Sequence, residues 1–136
     1  WCQVMFRFES ELYRDPQQDL NTLWWDLVEK YQRLHRPEGR NAPDYASKVH
    51  IVTAPVYYHN YMLGELFACQ LHAAIVREVL QEKDAANAIY TRNPRVGEFM
   101  QGKVFSQGRL RSWNELTRFA TGEELNPRAF AAEFSR

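Results

Sequence analysis

An all-α fold is predicted by two observations. Apolar residues recur at helical spacing along most of the 136-residue chain, and only the short segment around His50 has a strand-like, β-branched composition. The expected arrangement is one long central helix with shorter helices packed on it, without internal repeats.

Trp1, Met5, Phe8 and Leu12 share one face of a first helix, which Pro16 ends near Asp15 because proline has no amide hydrogen to donate. Leu20, Leu23, Trp24, Leu27, Val28, Tyr31 and Leu34 form the apolar stripe of a second helix, with Asp19 as its N-cap. Pro37, Gly39 and Pro43 mark a loop. Lys48-Val-His50-Ile-Val is β-branched and expected to run extended. Thr53 is placed to cap the next helix, with Pro55 in its first turn. Leu63, Leu66, Phe67, Gln70, Leu71, Ala74, Ile75 and Val79 carry that helix to about Lys83. At about 1.5 Å per residue it would measure some 40 Å, and Gly64 within it suggests close helix packing. After a polar linker over residues 84–93, three shorter helices are expected near 94–106, 112–121 and 127–134, with breaks at Gly108 and Gly122. Ser112-x-x-Glu115 matches a capping box, and Asn126-Pro127 reads as a cap followed by proline at the first helical position.

The length fits one domain with a real core, and 45% hydrophobic with 14% aromatic residues excludes a disordered or low-complexity chain. Seventeen basic residues balance seventeen acidic ones, which argues against nucleic-acid binding. Arg92, Arg95, Arg109, Arg111 and Arg118 gather late in the chain, but acids and apolar residues are interleaved, as on a solvated surface. Two cysteines, Cys2 and Cys69, make no disulfide framework and are read as small buried thiols, which favours a reducing, cytoplasmic setting. No apolar run approaches the roughly 20 residues of a membrane span, and no signal peptide is visible. The chain begins at Trp1 inside a helical pattern, so it is expected to be a piece of a longer polypeptide.

Chemistry narrows to one segment. Cys69 and His72 stand three apart on a helix, in reach of a shared metal, but the third and fourth ligands a zinc site needs are not supplied. His35 lies at a charged helix end and reads as a surface residue. There is no Gly-x-Ser-x-Gly elbow and no glycine-rich phosphate cradle. What remains is Lys48 and His50, followed by Tyr58 and Tyr61 one helical turn apart. Two phenols and an imidazole so gathered can hydrogen-bond a peptide carbonyl as it becomes an oxyanion; they can equally pack as core aromatics with local hydrogen bonds.

The helix Asp19-Leu-Asn-x-Leu-Trp-Trp-Asp-Leu-Val-x-x-Tyr31, Lys48-Val-His50, Tyr58-x-x-Tyr61, Gln70-Leu-His72-x-Ala and the closing Ser112-Trp113…Leu116-Thr117…Gly122 are colinear. Over residues 1–134 this set resembles the C-terminal part of the catalytic domain of angiotensin-converting-enzyme-like zinc metallopeptidases, the peptidyl-dipeptidase A family, and is similar to their cousins, oligopeptidase F and thimet oligopeptidase. The resemblance implies a helical, two-lobed, zincin-like peptidase in which residues 1–136 form the C-terminal helical part. Zinc would be held by an HExxH motif and a glutamate before Trp1, with none of its ligands in this chain. By the same match, Lys48 and Tyr58 resemble the pair that binds the free C-terminal carboxylate of a peptide, and His50 and Tyr61 resemble the donors to its scissile carbonyl.

Departures qualify the match. One residue of slack lies between His50 and Tyr58, so Tyr57 competes with Tyr58 for its role. Asn60 stands where converting enzymes carry a chloride-binding arginine, and residues 81–93 lack the family's usual cysteine. The expected function is the substrate-cleft half of a zinc peptidase acting on short peptides, inactive as a fragment. The alternative is a non-catalytic helical peptide-binding or scaffold domain on the same fold. Expected partners are a peptide substrate and the rest of the parent peptidase. Trp1, Phe6, Trp24 and Trp25 on the first two helices predict exposed apolar faces through which the fragment self-associates.

Overall fold

The computed structural model describes residues 1–135, and among these every regular element is helical, with seven α-helices and no strand. The chain divides into two compact units, Trp1–Met62 and Leu63–Arg136.

The first unit is built on α1 (Cys2–Arg14) and α2 (Leu20–Gln32). The apolar stripes predicted for these helices form its core: Val4 and Phe8 are fully buried, and Met5, Trp24 and Val28 nearly so. Asp19 caps α2 as expected, its carboxylate accepting from the Thr22 amide at 3.1 Å and the Thr22 hydroxyl at 2.7 Å. These hydrogen bonds hold the Asp19 pKa below its ordinary value. α2 stops at Arg33, whose backbone is left-handed (φ 58°). Trp24 is 3% exposed, so it belongs to the core and does not form part of a free apolar face. Trp25 is half-buried and donates its indole N–H to Asp44 at 3.1 Å. Trp1 and Phe6 are exposed as expected, at 39% and 43%.

Residues 48–53 depart from expectation. After a 3-10 turn, Asp44–Ser47, they form a short helix, α3 (Val49–Thr53), where an extended strand was predicted. The Ile51 amide donates to the Lys48 carbonyl at 3.0 Å, and the Thr53 hydroxyl donates back to the Val49 carbonyl at 2.8 Å. Coiling this segment lets Ile51 pack on the core, and tertiary packing overrides the β preference of a Val-Ile-Val run. Thr53 therefore closes α3 instead of capping the next helix, and Pro55 lies in the connecting turn.

The long helix α4 accordingly starts later, at His59, and runs to Ile75. A π-turn, Val76–Leu80, extends it to Gln81, which is left-handed (φ 60°). The combined length is roughly 30 Å, shorter than the 40 Å expected. A Cβ placed on Gly64 would meet no atom within 4 Å, so the close packing inferred there is not found.

In the second unit, Leu71, Ile75 and Val79 of α4 and the π-turn pack with Val96 of α5 (Pro94–Lys103) and Ala120 of α6 (Trp113–Thr121). Ser112 and Glu115 form the expected capping box. Asn126 serves the start of α7 (Arg128–Phe134) by accepting from the Arg128 amide at 3.0 Å, with Pro127 just outside the helix. The buried Gln70 side chain gives its amide hydrogens to the Thr121 hydroxyl at 3.1 Å and the Glu124 carbonyl at 3.1 Å. It accepts from the Asn126 amide at 3.2 Å. That one glutamine fastens α4 to the segment joining α6 and α7. The five late arginines are all exposed, as expected of a solvated surface. Cys2 and Cys69 are free and only partly buried, less enclosed than predicted. No helix among the described residues is long and apolar enough to cross a membrane.

Phe8→Ala should lower the unfolding free energy by about 3–5 kcal/mol, since it empties a fully enclosed aromatic site. Phe105→Ala, at a ring 63% exposed, should change it by no more than about 0.5 kcal/mol. Urea unfolding of the two variants beside the wild type checks both.

Candidate functional site

α3, the turn over residues 54–58 and the first turn of α4 bring four ring-bearing side chains together. His50 meets the Tyr58 ring edge-on, with centres 4.9 Å apart, and the Tyr61 ring at 6.0 Å. Tyr58 and Tyr61 lie 4.9 Å apart, and Tyr57 sets its edge against Tyr61 at 5.8 Å. The Tyr61 hydroxyl is 3.4 Å from His50 Nε2, a long contact with room to shorten. Burial is graded across the group. Tyr57 and Tyr61 are 48% and 51% exposed, whereas His50 and Tyr58 are half-buried and Tyr58 packs against the core. Desolvation, aided by the nearby Cys2 thiol, raises the Tyr58 pKa above 10.0, against a lowering contribution from a hydrogen bond to Trp1.

Lys48 is turned toward Trp1. It is the residue before α3, and its ammonium lies 5.0 Å over the Trp1 ring in a cation–π contact. It borders an open hollow of about 460 Å³ that Trp1, Trp24, Trp25, Arg40 and Asp44 also line. Asp44 is ion-paired with Arg40, which holds its carboxyl below the usual range.

Two residues escaped the sequence reading. Trp1 is one, as the partner of Lys48. The other is Glu9, which is 8% exposed although charged. Its Oε1 accepts from the Val56 backbone amide at 2.6 Å and from the Tyr13 hydroxyl at 3.0 Å. The available signal was positional: residue 9 falls four after Met5 and three before Leu12, on the apolar stripe of α1. Val56 itself has φ 55°, a left-handed backbone that costs a β-branched residue about 1–3 kcal/mol.

The Cys69/His72 pair lies elsewhere, on α4 in the second unit. His72 Nε2 is 2.7 Å from the Ala85 carbonyl, which can only accept, so this nitrogen carries the hydrogen. Nδ1 is 3.1 Å from the Tyr90 hydroxyl, so both ring nitrogens are engaged. The Cys69 thiol faces the Glu133 carboxylate at 3.4 Å, and burial together with that carboxylate pushes its pKa up. Both side chains border a cavity of about 170 Å³ walled largely by alanines. His72 has no nitrogen free for a metal. Among the described residues no group of three or more His, Cys, Asp or Glu side chains is placed to hold one. A zinc ion does not fit the residues present. His35 is on the surface, 3.5 Å from Glu29, as expected.

Comparison with known proteins places the chain, by its sequence, in a family. The sequence model of peptidase family M2, angiotensin-converting enzyme, matches residues 5–135. The chain belongs to the angiotensin-converting enzyme family. It is also 32% identical over 117 residues to the angiotensin-converting enzyme-like protein Ace3 of Mus musculus. That alignment covers 84% of this chain and 16% of the relative, so the chain spans about a sixth of the length of the protein it matches. No solved structure matches.

Because the Tyr58 pKa is raised on folding, the stability this phenol contributes is fully present below its unfolded value near 10.0 and is lost as pH rises through the folded value. The stability difference between wild type and Tyr58→Phe should therefore be constant through neutral pH and decline on the alkaline side. Denaturant unfolding at stepped pH measures it, and an alkaline decline of equal size in Tyr58→Phe would remove the assignment.

Proposed function

We propose that this chain is the substrate-cleft half of a zinc-dependent peptidase that hydrolyses short peptides, and that it corresponds to the C-terminal part of that enzyme's catalytic domain. The carrying observation is the convergence of His50, Tyr58 and Tyr61 on one partly exposed face, with a phenol and an imidazole 3.4 Å apart, in a chain of the angiotensin-converting enzyme family. The Tyr61 hydroxyl and the His50 imidazole are the donors to the scissile carbonyl. Each strengthens its hydrogen bond as the oxygen gains charge, which is where a donor contributes to rate. Tyr58 and Lys48 hold the peptide's C-terminal carboxylate. Tyr57, exposed beside Tyr61, is the second choice for the phenol in that role. Lys48 is drawn toward the Trp1 ring, and a carboxylate arriving in the adjoining hollow competes with that ring for the ammonium.

The zinc of such an enzyme polarises the carbonyl and activates water, and in this reading its ligands lie in the parent protein outside this chain. Relationship to oligopeptidase F and thimet oligopeptidase, and the choice between oligopeptide cleavage and dipeptide release, belong to the same proposal.

In the full-length protein, Tyr61→Phe should reduce kcat about 10²-fold or more with little change in KM, since the lost donor acts mainly in the transition state. A kcat within about twofold of wild type would end the oxyanion role. Lys48→Ala should instead raise KM for peptides with a free C-terminus and leave amidated peptides unaffected. If the full-length sequence carries a degraded HExxH motif, the scaffold reading takes over.

A further inference from the structure

Outside the cluster itself, the strongest unexplained feature of the first unit is a charged side chain spent on a backbone amide. Glu9 is almost wholly buried, and its carboxylate reaches from α1 to the Val56 N–H, 47 positions along the chain. Val56 is the one residue of the 54–58 turn with positive φ, and its own side chain is 63% exposed, so side-chain packing does not hold it there. The next two residues are Tyr57 and Tyr58. Their carbonyls accept the first hydrogen bonds of the following helix, from the Asn60 amide at 3.0 Å and the Tyr61 amide at 3.3 Å. The direction in which the chain leaves Val56 therefore sets where Tyr57 and Tyr58 point and in which register Tyr61 starts α4. His50 meets Tyr58 and Tyr61 on the far side of the same turn.

We propose that Glu9 is a positioning residue, whose hydrogen bond to the Val56 amide locks the strained turn and thereby assembles the His50–Tyr58–Tyr61 cluster. Strained backbone persists where its surroundings over-determine it, and a buried acceptor aimed at the amide of the strained residue is such a determinant. The Tyr13 hydroxyl, donating to the same Oε1, fixes the rotamer of Glu9 from one turn along α1. In the proposed peptidase, which this inference deepens, Glu9 acts only through the turn and touches neither substrate nor metal.

The test compares the complete chain as wild type, Glu9→Gln and Glu9→Ala by NMR, with labelled histidine and aromatic rings. The measured quantities are the ring-to-ring contacts of His50 with Tyr58 and Tyr61, and the Phe8–Trp24 contact as a core control. Glutamine keeps an oxygen that can accept from Val56, so Glu9→Gln should retain the cluster contacts. Glu9→Ala should lose them while Phe8–Trp24 persists. Retention of the cluster in Glu9→Ala, or its selective loss in both variants, overturns the proposal. Should Glu9→Ala lose the core contact as well, Val56→Gly is added to it to relieve the left-handed strain. Recovery of the cluster then upholds the proposal, and continued loss overturns it. In the full-length enzyme, Glu9→Ala should lower kcat by up to about 10²-fold, as small misplacements of reacting groups do, with Glu9→Gln restoring most of it. If the contacts respond as described but Tyr61→Phe leaves kcat intact, the catalytic reading fails while the positioning role stands.

Discussion

The edge-to-face contact between Phe8 and Trp24, with ring centres 5.2 Å apart, is the constraint on which the first unit's geometry rests. Phe8 is the fully buried centre of α1, and its ring also takes that of Tyr45 at 4.8 Å. Trp24 receives Trp1 edge-on at 5.7 Å, and Trp1 in turn carries the Lys48 ammonium. Ring contacts thus run from α2 through α1 to the 3-10 turn, and a branch through Trp1 ends on the Lys48 ammonium just before α3. Each such pair contributes about 0.5–1.5 kcal/mol beyond the area it buries, and each fixes an orientation that aliphatic packing would leave loose. Lys48 and His50 follow Tyr45 within five residues, so their placement is inherited from this stack.

The cluster sits at the edge of that core, which gives its members different surroundings. Tyr58 is held against apolar neighbours and keeps its proton, while Tyr61 faces water. A hydrogen-bond donor acts most strongly on developing charge when water is excluded. Within the proposed function, the remaining dryness must come from other residues of the parent protein, or from the peptide as it covers Tyr57 and Tyr61.

Much of the fold was legible because its signals are local. The stripe Met5–Phe8–Leu12, the Asp19 cap and the Ser112/Glu115 box each need only residues three or four apart, and each appears in the structure as read. The segment from Lys48 to Tyr58 was misread because non-local packing decides it. Ile51 finds the core only if the chain coils, and Val56 turns left-handed although nothing in its neighbours announces it. Of the candidate site, the spacing of Tyr58 and Tyr61 was readable, as was their proximity to His50. Glu9 reaching Val56, and His72 committed to Ala85 and Tyr90, pair residues 13 to 47 positions apart, and no periodicity reports such partnerships.

Two helices end without the residue that suits their endings. α2 stops on Arg33 and the π-turn after α4 on Gln81, both left-handed, where a glycine would fit without its Cβ crowding the following carbonyl. That crowding costs about 1–2 kcal/mol, against about 0.5–1 kcal/mol for the greater chain freedom glycine loses on folding. A modest gain in heat tolerance is therefore latent at two surface positions, neither of which belongs to the His50 cluster, and an engineer wanting a hardier version could start there.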